Sequence, residues 1–348
     1  MSSAFSSLAF WFSKLSEQWK KIFATPPRYQ YITCYGKEDG IGAQAQAVFS
    51  TMLFAQAFDL TYVHTPFSAI EHNYDQDDQW VEKWEAFLGL GLDEVPSSEA
   101  KKLITDTITL ENPVSLTSQP RTLYVSPHCH AFADQQPDLY EPLLPRFRAK
   151  FYQSCQQQLA ANNQRDLNPP EAAQFTIAIH VRRGDVKSDN PEGRHTENQY
   201  YYQVLARLIP YLEKQGLQPK IQLYSQGEIT DFGELQEFAI DYSLDECPFS
   251  TFYQLATADI LIMSKSSFSY SAALLSEGIV FYEPFWHQPL SRWIIVDRDA
   301  ENTQDSQSDN AFTVNWNQSQ LEPLMAAHLA KKNQPHSSTT EILDKPRS

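Results

Sequence analysis

The chain has 348 residues, enough for one large or two ordinary domains, and its 42% hydrophobic and 13% aromatic residues are ample for packed cores. With 43 acidic against 27 basic residues and a formal net charge of −16, it lacks the basic face that a nucleic-acid surface needs, while a localised basic pocket for a phosphate stays open. The cysteines, Cys34, Cys129, Cys155 and Cys247, show neither CxxC spacing nor a dense framework and suit a reducing compartment.

No run approaches the roughly 20 apolar residues that cross a bilayer. The opening segment, MSSAFSSLAFWFSKLSEQWKK, does not read as a signal peptide, because its apolar part is short and no basic region precedes it. A cytoplasmic location is therefore expected. Within residues 1–27, Phe5, Leu8, Phe12, Leu15, Trp19 and Ile22 form one apolar helical face that ends at Thr25-Pro26-Pro27. That face either packs on the protein's own body or, through residues 1–24, makes a peripheral contact with a membrane interface.

Residues 28–160 read as a first domain. A strand over Tyr29–Tyr35 leads through the loop GKEDGIG into a helix over Ala43–Phe58, and a second strand follows over Leu60–His64. A helix is expected near 79–89 and a strand over Arg121–Ser126. The polar span 160–174, AANNQRDLNPPEAAQ, carries two prolines and no periodicity, and reads as an inter-domain linker.

Residues 175–330 read as a second domain. Phe175–Val181 is a strand of the continuous apolar kind that is buried on both faces. Thr196-Glu197-Asn198-Gln199 fits a capping box that opens a helix running toward Gly216. Strand 220–224, helix 231–238, strand 239–243, helix 250–257, strand 259–263, helix 267–277 and strand 279–283 follow. Strands alternating with helices predict a mainly parallel, Rossmann-like sheet. Residues 331–348 read as a flexible polar tail, and the chain shows no internal repeats.

Ligands of open parallel sheets bind at the carboxyl ends of the strands, and several segments fall there. The first is IAIHVRRGD, in which His180 and Arg182 share one strand face while Val181 and Arg183 take the other. An exposed Arg-Gly-Asp adhesion tripeptide is disfavoured by the apolar run before it. A solvated ion pair and an anion site remain. Arginine suits a diphosphate because its planar fork donates bidentate, permanently charged hydrogen bonds, and Asp185 is expected to hold one arginine or tie the loop down. The second segment is YSQGE, where Ser225 either meets a nucleobase or ribose or belongs to a plain turn. The third, MSKSSFSY, places Ser266, Ser267 and Phe268 at a helix N-terminus, where hydroxyls and free N–H groups either cap the helix or bind an anion.

Taken together, IHVRRGD, YSQG and SKSSFSYSAALL resemble the fucosyltransferase superfamily with an HxRRGD motif, which comprises α1,2-, α1,6- and protein O-fucosyltransferases. Gly40-Ile41-Gly42-Ala43-Gln44 is similar to that superfamily's GxG-x-Gln element, with Ala43 departing from the Gly-Asn-Gln of many α1,2 members. The resemblance covers roughly 30–64 and 175–295. It implies an α/β fold of the GT-B type, two Rossmann-like domains facing a central cleft, with the acceptor on the first domain and the nucleotide sugar on the second. It also implies inverting transfer of L-fucose from GDP-fucose to a glycan or glycoconjugate, with no bound metal and no further cofactor. Arg182 would contact the diphosphate and stabilise charge on departing GDP. His180, Arg183, Asp185, Ser225, Ser266, Ser267 and Phe268 would line the donor site, and Gly40, Gly42 and Gln44 the cleft loop. Asp39, Asp185, Asp189 and Glu192 are all candidates for the general base.

Three rival readings accompany this one. Gly40-Ile41-Gly42-Ala43-Gln44-Ala45 also matches the G-x-G-x-x-A dinucleotide fingerprint of an NAD oxidoreductase, but the second strand ends in His64 and Thr65 rather than an acidic residue. Asp297-Arg298-Asp299 mimics the DxD metal motif of single-domain, metal-dependent glycosyltransferases. A non-catalytic sugar- or nucleotide-binding GT-B protein is the third.

Overall fold

The computed structural model describes residues 30–110, 116, 120–160, 174–186, 193–300 and 312–333. The amphipathic segment 1–27, residues 161–173 of the linker and residues 334–348 of the tail lie outside the described residues. The described chain is built on two parallel sheets flanked by helices, the α/β class expected from the alternating elements.

The first sheet contains β1 (Tyr31–Cys34), β2 (Thr61–His64), β3 (Val95–Pro96), β4 (Asp106–Thr109) and β5 (Thr122–Ser126), in the order β3-β2-β1-β5-β4, all parallel. The second contains β6 (Thr176–His180), β7 (Lys220–Ser225), β8 (Ile240–Leu244), β9 (Ile260–Ile262), β10 (Ile279–Tyr282) and β11 (Ile294–Ile295). Its order is β11-β10-β9-β6-β7-β8, again all parallel. The central strands YITC, ILI and IVFY are buried along their whole length, because helices cover both faces.

The helices are α1 (Ile41–Ala57), α2 (Trp80–Leu88), α3 (Ser97–Ala100), α4 (His130–Gln135), α5 (Leu144–Ala160), α6 (Asn198–Lys214), α7 (Pro248–Thr257), α8 (Ser267–Leu275) and α9 (Gln318–Lys332). Helix α1 is buried nearly all round, and its small residues Gly42, Ala45, Ala47 and Ser50 let neighbouring backbone come close. Its buried hydroxyls are satisfied internally: Ser50 Oγ and Thr51 Oγ1 donate to the Ala47 carbonyl at 2.9 and 2.8 Å.

One core joins the two sheets. Ile32, Phe49 and Phe54 of the first unit belong to the same buried cluster as Leu261, Tyr270 and Leu274 of the second. Alternation along β6 then splits the second unit's core, with Ala178 on this shared side and Ile177 and Ile179 packed against α6 on the other. Aromatic contacts bridge the same seam: the rings of Trp84 and Phe249 lie 4.1 Å apart, and those of Phe252 and Phe268 5.2 Å. Polar latches add to it. Asp134 meets His287 Nδ1 at 3.2 Å, Asp138 accepts from Ser291 N at 2.8 Å, and Glu141 accepts from Arg292 Nε at 3.1 Å.

Several expectations need correction. The capping box is absent: α6 begins after Glu197, and the Thr196 hydroxyl donates instead to Glu283 Oε2 at 2.6 Å. The expected helix 231–238 is a 3-10 run, Ile229–Glu237, kinked at Phe232. The tail does not begin at 331, because α9 continues through Lys332. There Lys332 Nζ pairs with Asp259 at 2.7 Å, and His328 meets the same carboxylate at 2.8 Å. Helix α5 was not anticipated, since Arg, Lys and Gln dilute its apolar stripe. That stripe, Leu144, Phe147, Phe151 and Cys155, still keeps helical spacing and is buried. Among the described residues no helix is long and apolar enough to cross a membrane.

Candidate functional site

The site is built on the carboxyl end of β6. Val181 N donates to Tyr224 O at 3.0 Å, which carries the sheet one residue past the strand. Gly184 then turns the chain with φ +77°, a conformation that strains any residue with a Cβ. This turn brings Asp185 back onto Arg182. The carboxylate accepts from Nε at 3.2 Å and Nη2 at 2.5 Å, a side-on bidentate pair that does not use Nη1. Although partial burial opposes it, the Arg182 guanidinium holds the Asp185 carboxyl below the usual carboxylate range.

The expected face alternation is observed. Val181 belongs to the core on the α6 side, and Arg183 follows it there, donating through Nη2 to Asn198 Oδ1 at 2.7 Å and lying 5.9 Å from the Phe232 ring. His180 turns to the seam, where its Nδ1 is hydrogen-bonded to Ser264 Oγ at 2.8 Å and its ring lies 5.6 Å from that of Phe268. Burial, reinforced by the charge of Arg182, pushes the His180 imidazole down to about 3. A neutral ring buttressing Ser264 positions the loop before α8 and does not carry charge.

That loop delivers Ser266, Ser267 and Phe268. Ser266 caps α8, its Oγ accepting from Phe268 N at 3.3 Å, while Ser269 Oγ donates to the carbonyls of Ser264 and Ser266 at 3.2 Å each. The first turn of α8 abuts the first turn of α1. A Cβ on Gly42 would lie 2.3 Å from Phe268 N and Cα, and Ser271 Oγ donates to the Gly42 carbonyl at 2.7 Å. Gln44 braces the cleft loop, its Nε2 donating to the carbonyls of Asp39 and Ala69 at 2.5 and 2.7 Å. The sequence-predicted residues Gly40, Gly42, Gln44, His180, Arg182, Asp185, Ser266, Ser267 and Phe268 thus gather at one seam between the two sheets' carboxyl edges.

Two candidates are placed elsewhere. Arg183 is turned to α6, and Ser225 donates its hydroxyl to Val181 O at 2.7 Å, an interaction internal to the strand ends. Of the base candidates, Asp39 pairs through Oδ2 with Lys37 at 2.6 Å while its Oδ1 is buried, and Asp189 and Glu192 lie outside the described residues.

A charge network beside the site escaped the sequence reading. Glu283, 2% exposed at the end of β10, meets Lys265 Nζ at 3.2 Å, the Thr196 hydroxyl at 2.6 Å and Arg298. Arg298 also donates to Glu197 Oε2 at 2.5 Å and stacks 4.5 Å from the Phe312 ring. Burial lowers the Arg298 basicity, and the Glu283 and Glu197 carboxylates outweigh it, so that its proton is held more tightly than in water. Arg298 is the middle residue of the Asp-Arg-Asp triplet, which forms β12 (Asp297–Ala300) paired antiparallel with β13 (Phe312–Asn315). The residue of that triplet that engages the buried network is the arginine, while Asp297 is exposed. Among the described residues no three His, Cys, Asp or Glu side chains are grouped to hold a metal ion. The dinucleotide fingerprint conflicts with the packing at Gly42. The close approach that its second glycine would give a pyrophosphate is taken at Gly42 by the backbone of Phe268.

No family model and no curated protein sequence matches the chain. Among solved structures it is similar to POFUT1 in complex with GDP, at 12% identity over 73% of this chain and 97% of that one, with a TM-score of 0.36. It is similar to a mutant of Arabidopsis thaliana FUT1 in complex with GDP, at 13% identity over 81% and 76% of the two chains, with a TM-score of 0.37. NodZ alpha-1,6-fucosyltransferase soaked with GDP-fucose is similar at 11% identity over 83% and 100%, with a TM-score of 0.36.

Proposed function

We propose that the protein is an inverting glycosyltransferase that transfers L-fucose from GDP-fucose to a glycan or glycoconjugate without a metal ion. One observation carries this reading: Arg182, fixed side-on by Asp185 at the end of β6, stands with the capped N-terminus of α8 at the seam where the two sheets' carboxyl edges meet. Departure of GDP places negative charge on the β-phosphate. A guanidinium already oriented by Asp185 meets that charge without reorganising, and so acts on the transition state more than on the bound donor. The half-exposed Ser267 hydroxyl at the start of α8 offers a further hydrogen bond to the same diphosphate.

The HxRRGD resemblance supports GDP-fucose as donor, the first sheet's loops as the acceptor side, and a reaction that needs no cation. Arg183 and Ser225 then serve by positioning, one tying the HVRRGD loop to α6 and the other joining the ends of β6 and β7. The test is release of GDP from a panel of sugar nucleotides, with and without chelator. Selective turnover of GDP-fucose that survives chelation supports the reading. Binding of GDP without turnover of any sugar nucleotide would replace it with a non-catalytic binding protein, and turnover restored by manganese with a metal-dependent enzyme.

A further inference from the structure

The transferase reading leaves open which group takes the proton of the attacking hydroxyl. The carboxylate candidates among the described residues are each tied to a cation: Asp185 to Arg182, and Asp39 through Oδ2 to Lys37, its Oδ1 being buried without a hydrogen-bond partner. The loop between β2 and α2 offers a different group. Resting on that reading, we propose that His72, oriented by Tyr74, accepts the proton of the incoming hydroxyl on the acceptor side of the seam.

Three observations place it there. The His72 ring lies against the cleft loop, since a Cβ on Gly40 would sit 3.1 Å from its Cδ2 and 3.3 Å from its Nε2. Two flanking bonds staple this loop to the same backbone: Glu71 N donates to Asp39 O at 3.4 Å, and Gln44 Nε2 joins Ala69 O to Asp39 O. Across the seam stands Asp185, the partner of Arg182, and the ring is among the groups whose field reaches that carboxylate. The ring is exposed, and so open to a substrate.

The backbone supplies a further argument. His72 has φ +65°, a left-handed conformation that strains a residue with a Cβ and that glycine would adopt freely. Asp59, Asp93 and Asp245 share the conformation, but stand at turns after α1, α2 and β8, Arg121 stands just before β5, and Gln76, in the same loop as His72, closes a turn by donating to Asn73 O. His72 instead projects its side chain onto the cleft loop. Strain retained under a side chain at such a place fits a need for that side chain.

Tyr74 fixes the ring, its hydroxyl lying 3.0 Å from His72 Nδ1. With Nδ1–H donating to the Tyr74 oxygen, Nε2 is left as the base. The acceptor O–H proton passes to Nε2 as its oxygen forms a bond to the anomeric carbon. The bond from that carbon to the β-phosphate oxygen breaks, the electron pair leaves with GDP, and Arg182 meets the charge. The imidazolium then returns the proton to solvent.

The experiment measures GDP release from GDP-fucose by the full chain, with water as acceptor. A general base contributes roughly 100- to 10,000-fold, so His72→Gly is expected to lose at least about 100-fold in turnover. Because glycine fits φ +65° without strain, its Tm stays close to that of the parent, and GDP still raises it equally. Added imidazole restores turnover to His72→Gly but not to His72→Gln, whose side chain fills the space. Tyr74→Phe loses less than His72→Gly. Undiminished turnover by His72→Gly overturns the proposal alone, as does a loss that imidazole leaves untouched. A parent protein that neither binds GDP nor releases it from GDP-fucose overturns the transferase reading, and this inference with it.

Discussion

Gly42 and Phe268, 226 positions apart, touch backbone to backbone, and a methyl group on Gly42 would sit 2.3 Å from the Phe268 nitrogen. The contact joins the first turn of α1 to the first turn of α8. The two loops that sequence reading singled out independently therefore set each other's position.

A consequence is that Gly42→Ala cannot be accommodated by a flexible side chain moving away. Overpacking of this kind costs roughly 1–3 kcal/mol, and backbone-to-backbone overlap places it at the upper end. Gly42→Ala should lower Tm clearly and lose activity beyond what the unfolding explains, whereas Gly233→Ala, with open space at its Cβ, should change Tm little. Equal Tm values for the two variants would show that α1 and α8 are not in this contact.

The second expectation concerns acid. In the folded chain burial holds the His180 imidazole neutral down to about 3, against an ordinary value of 6.5. The unfolded chain therefore binds a proton below 6.5 that the folded chain refuses. This contribution to stability is complete above pH 6.5 and is lost as the pH falls through that value toward 3, at up to about 1.4 kcal/mol per pH unit. His130, pushed down to about 2 by burial, acts in the same direction. Urea midpoints between pH 6.5 and 4.5 should consequently fall more steeply for the parent than for His180→Gln. Identical slopes would mean that the ring is not buried as a neutral group.

Much of this was legible in the sequence, and the limits were physical. The strand-loop-helix order around β6, β9 and α8 shows plainly, because strands buried on both faces leave uninterrupted apolar runs such as ILI and IVFY. Periodicity also gave the alternation that sends His180 and Arg183 to opposite sides of β6. What stayed hidden depends on partners distant in sequence. Lys150, polar on a buried helical face, looks misplaced until Glu94 is found beside it. Thr196 looked like a helix cap because nothing local announces that Glu283 will claim its hydroxyl. His72 had no local signal beyond a polar loop, and its interest comes from a dihedral angle and from Gly40.

The Asp-Arg-Asp triplet separates two chemistries. If its carboxylates held a metal, Asp297→Ala would abolish turnover. In the structure the triplet instead sends Arg298 to the buried Glu283 carboxylate. Losing Arg298 leaves the buried Glu283 carboxylate with Lys265 at 3.2 Å and the Thr196 hydroxyl, so the loss falls below the roughly 3–5 kcal/mol of a buried charge left wholly unpaired. Arg298→Ala should therefore lower Tm clearly, while Asp297→Ala keeps both Tm and most of the activity in the presence of chelator. The opposite pattern, a stable Arg298→Ala and an inactive Asp297→Ala rescued by no cation but manganese, would move the site to β12.

The last expectation bears on Arg182 itself. Asp185 grips its Nε and Nη2 from one side, so the guanidinium plane and Nη1 are oriented before any ligand arrives. Both partners are partly exposed, at 20% and 39% of their side chains, so the pair contributes little to folding. Arg182→Lys should accordingly leave Tm near that of the parent. Lysine keeps the charge but has no planar fork, so it cannot satisfy Asp185 and two phosphate oxygens in one geometry. Losing a preorganised donor to a developing anion costs on the order of 2.7–4 kcal/mol, or roughly 100- to 1,000-fold in rate. Turnover of GDP-fucose by Arg182→Lys should fall at least that far, and Arg182→Ala should lose the thermal shift given by GDP as well. Asp185→Asn, which keeps the shape but not the charge, should fall between the parent and Arg182→Lys. A lysine variant with near-normal turnover would show that Arg182 is not the group that meets the departing diphosphate.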